Sequence, residues 1–589
     1  MVFGKYINRY YLKYAPMILM GVLVLVVEDW LMLLIPRFYQ MVVNGINQGF
    51  VDADGLRYTF DMTFLLDKIC LPMVALILVL TVGRFLWRVL FLGVAIRTER
   101  GLRDSMFCRA ECLSRQFYDK NKVGSLMSLF TNDLDTVQEC VGWGLVMLAD
   151  ATIMGTMAIF KMWQMDPVLT CLSLVPMGLL LACATVVGKY MTKKWDQRQE
   201  AFSRLSDFSQ ESFSGISVIK AFVKEASQLL TFRKHNEENE KTNIDHTKAS
   251  VLLKILVTLF VESVIGIILG YGGYLVYCHR FNAGQLVEFI GYFVNIIFPV
   301  MSVSELIDMT SRGKASLDRI GTLLDAKADV DDAPEAEPVE QIRGDIEVKH
   351  LTFRYPNAQY DALQDISFRV KAGQSVGVVG RTGAGKTTLA QLLLRAYNVP
   401  DGTVFVDGKD VNCLKIRDVR GGISYVPQDN FLFSDTIANN ISFGAEGDVS
   451  VAAKAADVHD NISQFAQGYE TVLGERGVTV SGGQKQRISI ARALLRNAPV
   501  LIMDDSVSAV DTATEKTILD NLRKDRQGKT TILIAHRIST IADMDLILFL
   551  EEGRLLDAGT HTELLERCAA YRKTVKLQQL EAEGGARNA

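Results

Sequence analysis

Six apolar stretches, at residues 17–41, 69–96, 141–163, 168–191, 251–278 and 286–309, occupy the first half of the chain. Each is long enough to cross a lipid bilayer, which takes about 20 residues of helix. Bilayer hydrocarbon offers the backbone no water, so runs of this kind fold as helices that satisfy their own hydrogen bonds. An all-α membrane domain with six spanning helices is the expectation. The first run leads into Pro36-Arg37-Phe38 rather than a small-residue cleavage site, so it is expected to stay in the membrane. Ahead of it, Lys5, Arg9 and Lys13 alternate with Tyr6, Tyr10, Tyr11 and Tyr14, which predicts a short interfacial elbow helix over residues 1–15.

The loops fix the orientation. Segments 97–139 and 192–250 are rich in Lys and Arg, whereas 42–68, 164–167 and 279–285 are poor in them or very short. Basic loops stay in the cytosol, which places both termini there and makes the chain a multi-pass plasma-membrane protein. The basic segments are themselves amphipathic, as in Phe202, Leu205, Phe208, Phe213, Ile216 and Ile219, so the membrane helices should continue well beyond the lipid. A hydrophobic fraction of 49% agrees with a membrane protein, and nine cysteines without a framework imply reduced thiols. Cys108 and Cys112 lack an accompanying His cluster and read as incidental helix neighbours. A net charge of −4 gives no footprint for nucleic acid.

Composition changes at residues 324–343, where Asp325, Asp329, Asp331, Asp332, Glu335, Glu337 and Glu340 mix with Pro334 and Pro338. This reads as a solvated acidic linker. It separates a membrane domain at 16–323 from a soluble α/β domain at 344–580, followed by a tail at 581–589.

Within the soluble domain, Gly380-Arg381-Thr382-Gly383-Ala384-Gly385-Lys386-Thr387-Thr388 fits the phosphate-loop pattern G-x-x-x-x-G-K-[ST]. Glycines let successive backbone N–H groups turn inward around a phosphate. Lys386 is placed for the β/γ-phosphates and the Thr387 hydroxyl for Mg2+. A strand is predicted at 374–379 and a helix at 389–397, the flanks such a loop needs. Val500-Leu501-Ile502-Met503-Asp504 reads as a buried strand ending in a carboxylate able to hold Mg2+ through water. Ser481-Gly482-Gly483-Gln484, opening a helix, offers a second set of backbone donors for phosphate.

With these motifs in this order, the sequence resembles the ATP-binding cassette (ABC) family over nearly its whole length, in the exporter arrangement with the membrane domain first. The resemblance implies an α/β P-loop, RecA-like cassette with antiparallel β and α-helical signature subdomains, working with ATP and Mg2+. It implies that Tyr355 stacks on adenine and that Gln428 in Tyr425-Val426-Pro427-Gln428 senses Mg2+ and contacts the membrane domain. It likewise makes Ser481–Gln484 the signature, with Val480 where Leu is usual. Ser508-Ala509-Val510-Asp511 becomes the D-loop, His536 the switch histidine facing the γ-phosphate, and residues 473–477 an X-loop. Coupling helices are implied near residues 117–133 and 209–220.

One departure matters. Asp505 stands where the family's catalytic base is usually Glu. A carboxylate one methylene shorter misplaces the attacking water, and about 1 Å of displacement can cost on the order of 100-fold in rate. In the family, each ATP is held between one chain's phosphate loop and the other's signature. A weak Asp505 site beside an intact signature resembles one half of the heterodimeric multidrug exporters, so the expected partner is a second half-transporter. The expected cargo is a small amphiphilic compound exported at the cost of ATP. A homodimeric lipid or peptide exporter or flippase, an importer of the same fold, and a nucleotide-gated regulator or channel-like protein remain the alternatives. Glu28, Asp29, Arg84, Arg88 and Glu262 fall inside apolar runs. They imply either a water-filled cavity in which Glu28 or Asp29 attracts a cationic amphiphile, or a structural pair with Arg84 or Arg88.

Overall fold

The structure, a computed structural model, describes residues 4–53, 56–356, 358–474, 477, 480–508 and 510–587. It falls into two compact units, Met1–Glu111 with Val123–Ala326 and Cys112–Lys122 with Lys327–Ala589.

The first unit is helical apart from one hairpin. A short helix α1 (Asn8–Lys13) buries Tyr10 and precedes α2 (Ala15–Gln48). The hairpin β1 (Phe50–Ala53) and β2 (Leu56–Thr59) then leads into α3 (Met62–Cys112). After α4 (Arg115–Lys120), which clusters with the second unit, come α5 (Val123–Met165) and α6 (Pro167–Ser214). The short α7 (Ile216–Ala221), then α8 (Glu225–Tyr277) and α9 (Ala283–Asp325), complete the unit. The six expected spans fall on α2, α3, α5, α6, α8 and α9. Among the described residues, five are long and apolar enough to cross a membrane, and α6 is apolar over Pro167–Leu180. At 1.5 Å per residue the 53-residue α8 is about 80 Å long, against a hydrocarbon core of about 30 Å. Helices of this length do continue well past the lipid.

Local chemistry sets the helix starts. The Asp166 carboxylate accepts from the Leu169 N–H at 2.7 Å and, with Pro167 following, opens α6. Asn282 and Gln285 form a reciprocal capping box at the start of α9. Pairing then follows the apolar faces, with α5 against α9 and α6 against α8. Between them Phe289, Tyr292 and Phe293 of α9 pack with Leu169 and Ile268. Outside the lipid span, Asp133 is buried and accepts from Ser316 (2.8 Å) and from the Arg319 guanidinium, joining α5 to α9.

Two sheets build the second unit. β3 (Ile346–Phe353), β4 (Leu363–Val370), β6 (Val404–Val406) and β7 (Lys409–Asp410) form an antiparallel sheet in the order β4-β3-β6-β7. The other sheet contains β5 (Ser375–Gly380), β8 (Ile423–Val426), β9 (Val500–Asp504), β10 (Thr530–Ile534), β11 (Leu546–Glu551) and β12 (Arg554–Gly559). Its order is β12-β11-β5-β10-β9-β8, parallel except for the β12 edge. Every residue of β9 is buried, as a central parallel strand covered on both faces requires. Alternate residues of β9 enter two separate apolar cores, Leu501 joining Val426 and Ile547 in one, and Ile502 joining Val376, Leu389 and the antiparallel sheet's Val348 in the other.

Three local expectations shift. The strand before the loop is displaced by one residue. The helix expected at 389–397 is α10 (Lys386–Leu393), which starts earlier because Gly385 at φ 92° turns the chain directly into it. It stops sooner because Arg395 adopts φ 48°, its guanidinium held by the Val411 and Leu414 carbonyls at 3.1 Å. The acidic linker is not free of the domain that follows it: the Glu337 N–H donates to Cys413 (2.8 Å) and its carboxylate pairs with Lys409 (2.6 Å).

Candidate nucleotide site

The loop after β5 is shaped by two close approaches. A Cβ at Gly380 would stand 2.2 Å from the Leu550 carbonyl oxygen, and one at Gly385 would stand 2.7 Å from that of Ala362. Only glycine fits at these positions. The loop then enters α10 with Lys386 buried and its ammonium donating back to the carbonyls of Gly380 (2.8 Å) and Arg381 (3.0 Å). Burial holds this ammonium below the usual lysine range, while Asp505 and Asp504 oppose the fall.

A cavity of about 280 Å³ opens over the loop, lined by Tyr355, Thr382 to Thr388, Gln428, Asp504, Asp505 and His536. The Thr387 hydroxyl donates to Asp504 Oδ1 (3.2 Å), and the Tyr425 hydroxyl reaches Asp504 Oδ2 (3.4 Å). Burial pushes the Asp504 carboxyl above its usual range; the bonds from Thr387 and Tyr425 oppose the rise and Asp505 adds to it. A hydroxyl and a carboxylate this close are hard oxygen ligands suited to Mg2+, and the buried ammonium suits the phosphates it accompanies. The Tyr355 hydroxyl shares a hydrogen bond with Thr388 (2.9 Å), and its ring meets Phe353 and Tyr397 edge to face.

Asp505 closes the other side. Its backbone takes φ 47°, its N–H donates to Ile534 (3.0 Å), and its carbonyl accepts from Gln486 (3.2 Å) and Ser508 (2.9 Å). His536 Nε2 stands 3.8 Å from Asp505 Oδ2.

Ser481–Gln484 does not line this cavity. Ser481 is exposed and caps α11 (Gly482–Arg496), its hydroxyl accepting from the Gln484 N–H while the Gln484 side chain accepts from its own N–H. Of the D-loop and X-loop residues, Ala509, Glu475 and Arg476 lie outside the described residues. Tyr425 stands behind the cavity rather than in its lining, and its bond to Asp504 was not signalled by the sequence, since its motif pointed only to Gln428.

In the membrane half, Glu28 is buried and accepts from Arg84 Nε (2.9 Å) and Trp87 Nε1 (2.5 Å). Arg88 lies over the Trp87 ring. Asp29 is 3% exposed, and its Oδ2 has no hydrogen-bond partner. Glu262 is exposed.

The family description "ABC transporter transmembrane region" matches residues 18–300, and "ABC transporter" matches residues 363–508. The chain belongs to the ABC transporter family. This transporter is 36% identical over 594 residues to the probable multidrug resistance ABC transporter ATP-binding/permease protein YheI of Bacillus subtilis (strain 168), covering 99% of this chain and 98% of that protein. It is 34% identical over 572 residues to the multidrug resistance-like ATP-binding protein MdlA of Escherichia coli (strain K12), covering 95% and 94%. Among solved structures it is similar to a bacterial Atm1-family ABC exporter with ATP bound, with a TM-score of 0.76 and 27% identity over 97% of this chain and 98% of that one. The transporter thus joins an exporter-type membrane domain to an ATP-binding cassette in one multi-pass chain.

Proposed function

We propose that this chain is one half of a heterodimeric, ATP-driven exporter of amphiphilic compounds, and that its own phosphate loop forms the slower of two nucleotide sites. The observation that carries this reading is Asp505, beside Asp504 in the loop's cavity, while the Ser481–Gln484 turn, exposed at Ser481 and Gly482, stays outside that cavity. The loop amides and Lys386 bind the phosphates. Thr387, Asp504 and Gln428 would hold Mg2+, which when bound would supply neutralisation of phosphate charge. Asp505 then orients the attacking water from one methylene too far, and His536 faces the γ-phosphate. Ser481–Gln484 completes the partner's site instead.

A second chain also fits the surface between α6 and α8. Phe213 is 76% exposed, Phe222 70% and Val223 80%, apolar area that a cytosolic turn covers with a partner. Within the membrane, Glu28 is committed to Arg84 and Trp87, whereas Asp29 has an unpartnered carboxylate oxygen that suits the cationic end of an amphiphile.

The test is purification of the chain alone and with its partner half. ATPase activity is expected to be low alone and to appear on mixing. Brisk activity of the isolated chain, abolished by Asp505→Ala, would overturn the heterodimer.

A further inference from the structure

The switch loop that carries His536 is held by a residue far along the chain. The C-terminal helix α13 (Ala569–Arg587) joins the core that holds Phe549 of β11, with Tyr571 fully buried edge-on against that ring at 5.6 Å and Val575 also buried. Residues 571, 575 and 578 share one helix face. That face brings the Gln578 amide onto the switch loop, where it makes two bonds in opposite senses. Its Nε2 donates to the His536 carbonyl (2.7 Å), and its Oε1 accepts from the Ile538 N–H (2.9 Å).

Both bonds meet a need of the loop. Ile538 opens a short helix whose capping residue, Arg537, provides no side-chain acceptor, so its N–H is an orphan donor. The His536 carbonyl sits just past the end of β10, where the ladder no longer supplies partners. On the far side of the loop, Glu515 of α12 (Thr512–Asp525) accepts from the Thr540 hydroxyl (2.5 Å) and lies 3.6 Å from Arg537. The loop at residues 536–540 is therefore held from two helices, its backbone by Gln578 and its Arg537 and Thr540 side chains by Glu515, and the His536 ring lines the cavity beside Asp505.

We infer that Gln578 is a positioning residue for His536: its amide sets the backbone from which the ring addresses the γ-phosphate, so the C-terminal helix helps decide how well the site distinguishes ATP from ADP. This rests on the reading of His536 given above. ADP lacks the γ-phosphate, so loss of the clamp weakens ATP binding selectively. A single neutral hydrogen bond is worth about 1 kcal/mol, or about fivefold in an equilibrium constant.

Equilibrium binding of MgATP and MgADP to the full-length chain in detergent tests it, with Gln578→Met, Gln578→Glu, His536→Ala and the Gln578→Met/His536→Ala double variant. Met keeps the volume and removes both bonds; Glu keeps the acceptor for Ile538 and removes the donor to His536. Glu is expected to cut ATP affinity about fivefold and Met about fivefold or more while ADP affinity holds, and the double variant is expected to match His536→Ala alone. Equal losses for ATP and ADP, or an effect additive with His536→Ala, would reduce Gln578 to a packing residue and overturn the inference. If His536→Ala removes the preference for ATP and neither Gln578 variant does, the clamp alone falls. If His536→Ala leaves the preference intact, the γ-phosphate role of His536 falls and the clamp with it.

Discussion

Asp505 occupies the left-handed backbone region at φ 47°, which Asp tolerates better than longer side chains because its short carboxylate can bond locally. Glu at the same position would cost roughly 1 kcal/mol in backbone strain. The reach it restores is worth more: about 100-fold in rate corresponds to about 2.7 kcal/mol of barrier. Asp505→Glu is therefore expected to raise turnover at this chain's own loop by 10-fold or more while slightly lowering the melting temperature. Site-resolved trapping of nucleotide in the assembled pair measures it, and an unchanged rate beside an intact partner signature would show that reach is not the cause. The identity of such residues was legible because the motifs are short and local. The bond from Tyr425 to Asp504 was not, because 79 residues separate them and only the pairing of β8 with β9 brings them together.

At the scale of elements, helix starts were readable from their caps, and the early stop of α10 was not. Its last turn is ended by Arg395, whose partners Val411 and Leu414 lie 16 and 19 residues on. A similar long-range tie secures β12, where the Arg567 guanidinium of the following helix forks onto Asp557 at 2.8–3.1 Å. That guanidinium holds the Asp557 carboxyl below its usual range. The folded chain thus favours the ionised form, and this contribution is complete above the unfolded value, about 3.9, and is lost as pH falls through the lower folded one. Asp557→Asn is expected to lower the melting temperature of the cassette at pH 7, with the deficit shrinking as pH drops below about 4. A deficit that stays constant across that window would assign the effect to packing instead.

For the whole molecule, the Ser481–Gln484 turn, which presents Ser481 and Gly482 to solvent, predicts an effect in another chain's site. On the proposed two-chain arrangement, Ser481→Ala would remove a donor to the partner's γ-phosphate, a class of interaction whose loss costs about 100-fold or more in rate, and it also removes the cap of α11. Nucleotide trapping should show slower hydrolysis at the partner's loop and unchanged ATP binding at this chain's own. A loss confined to this chain's own loop would contradict the arrangement across two chains. The sequence by itself determined the two-part architecture, since span length, basic loops and the glycine spacing of the phosphate loop depend on near neighbours. Tertiary structure alone decided that Glu28 pairs with Arg84 across 56 residues, that Thr387 meets Asp504 across 117, and that Gln578 holds His536 across 42. Each of these needs two elements packed at a particular register, and hydrophobic periodicity specifies which face of an element is buried without naming the polar group it will meet there.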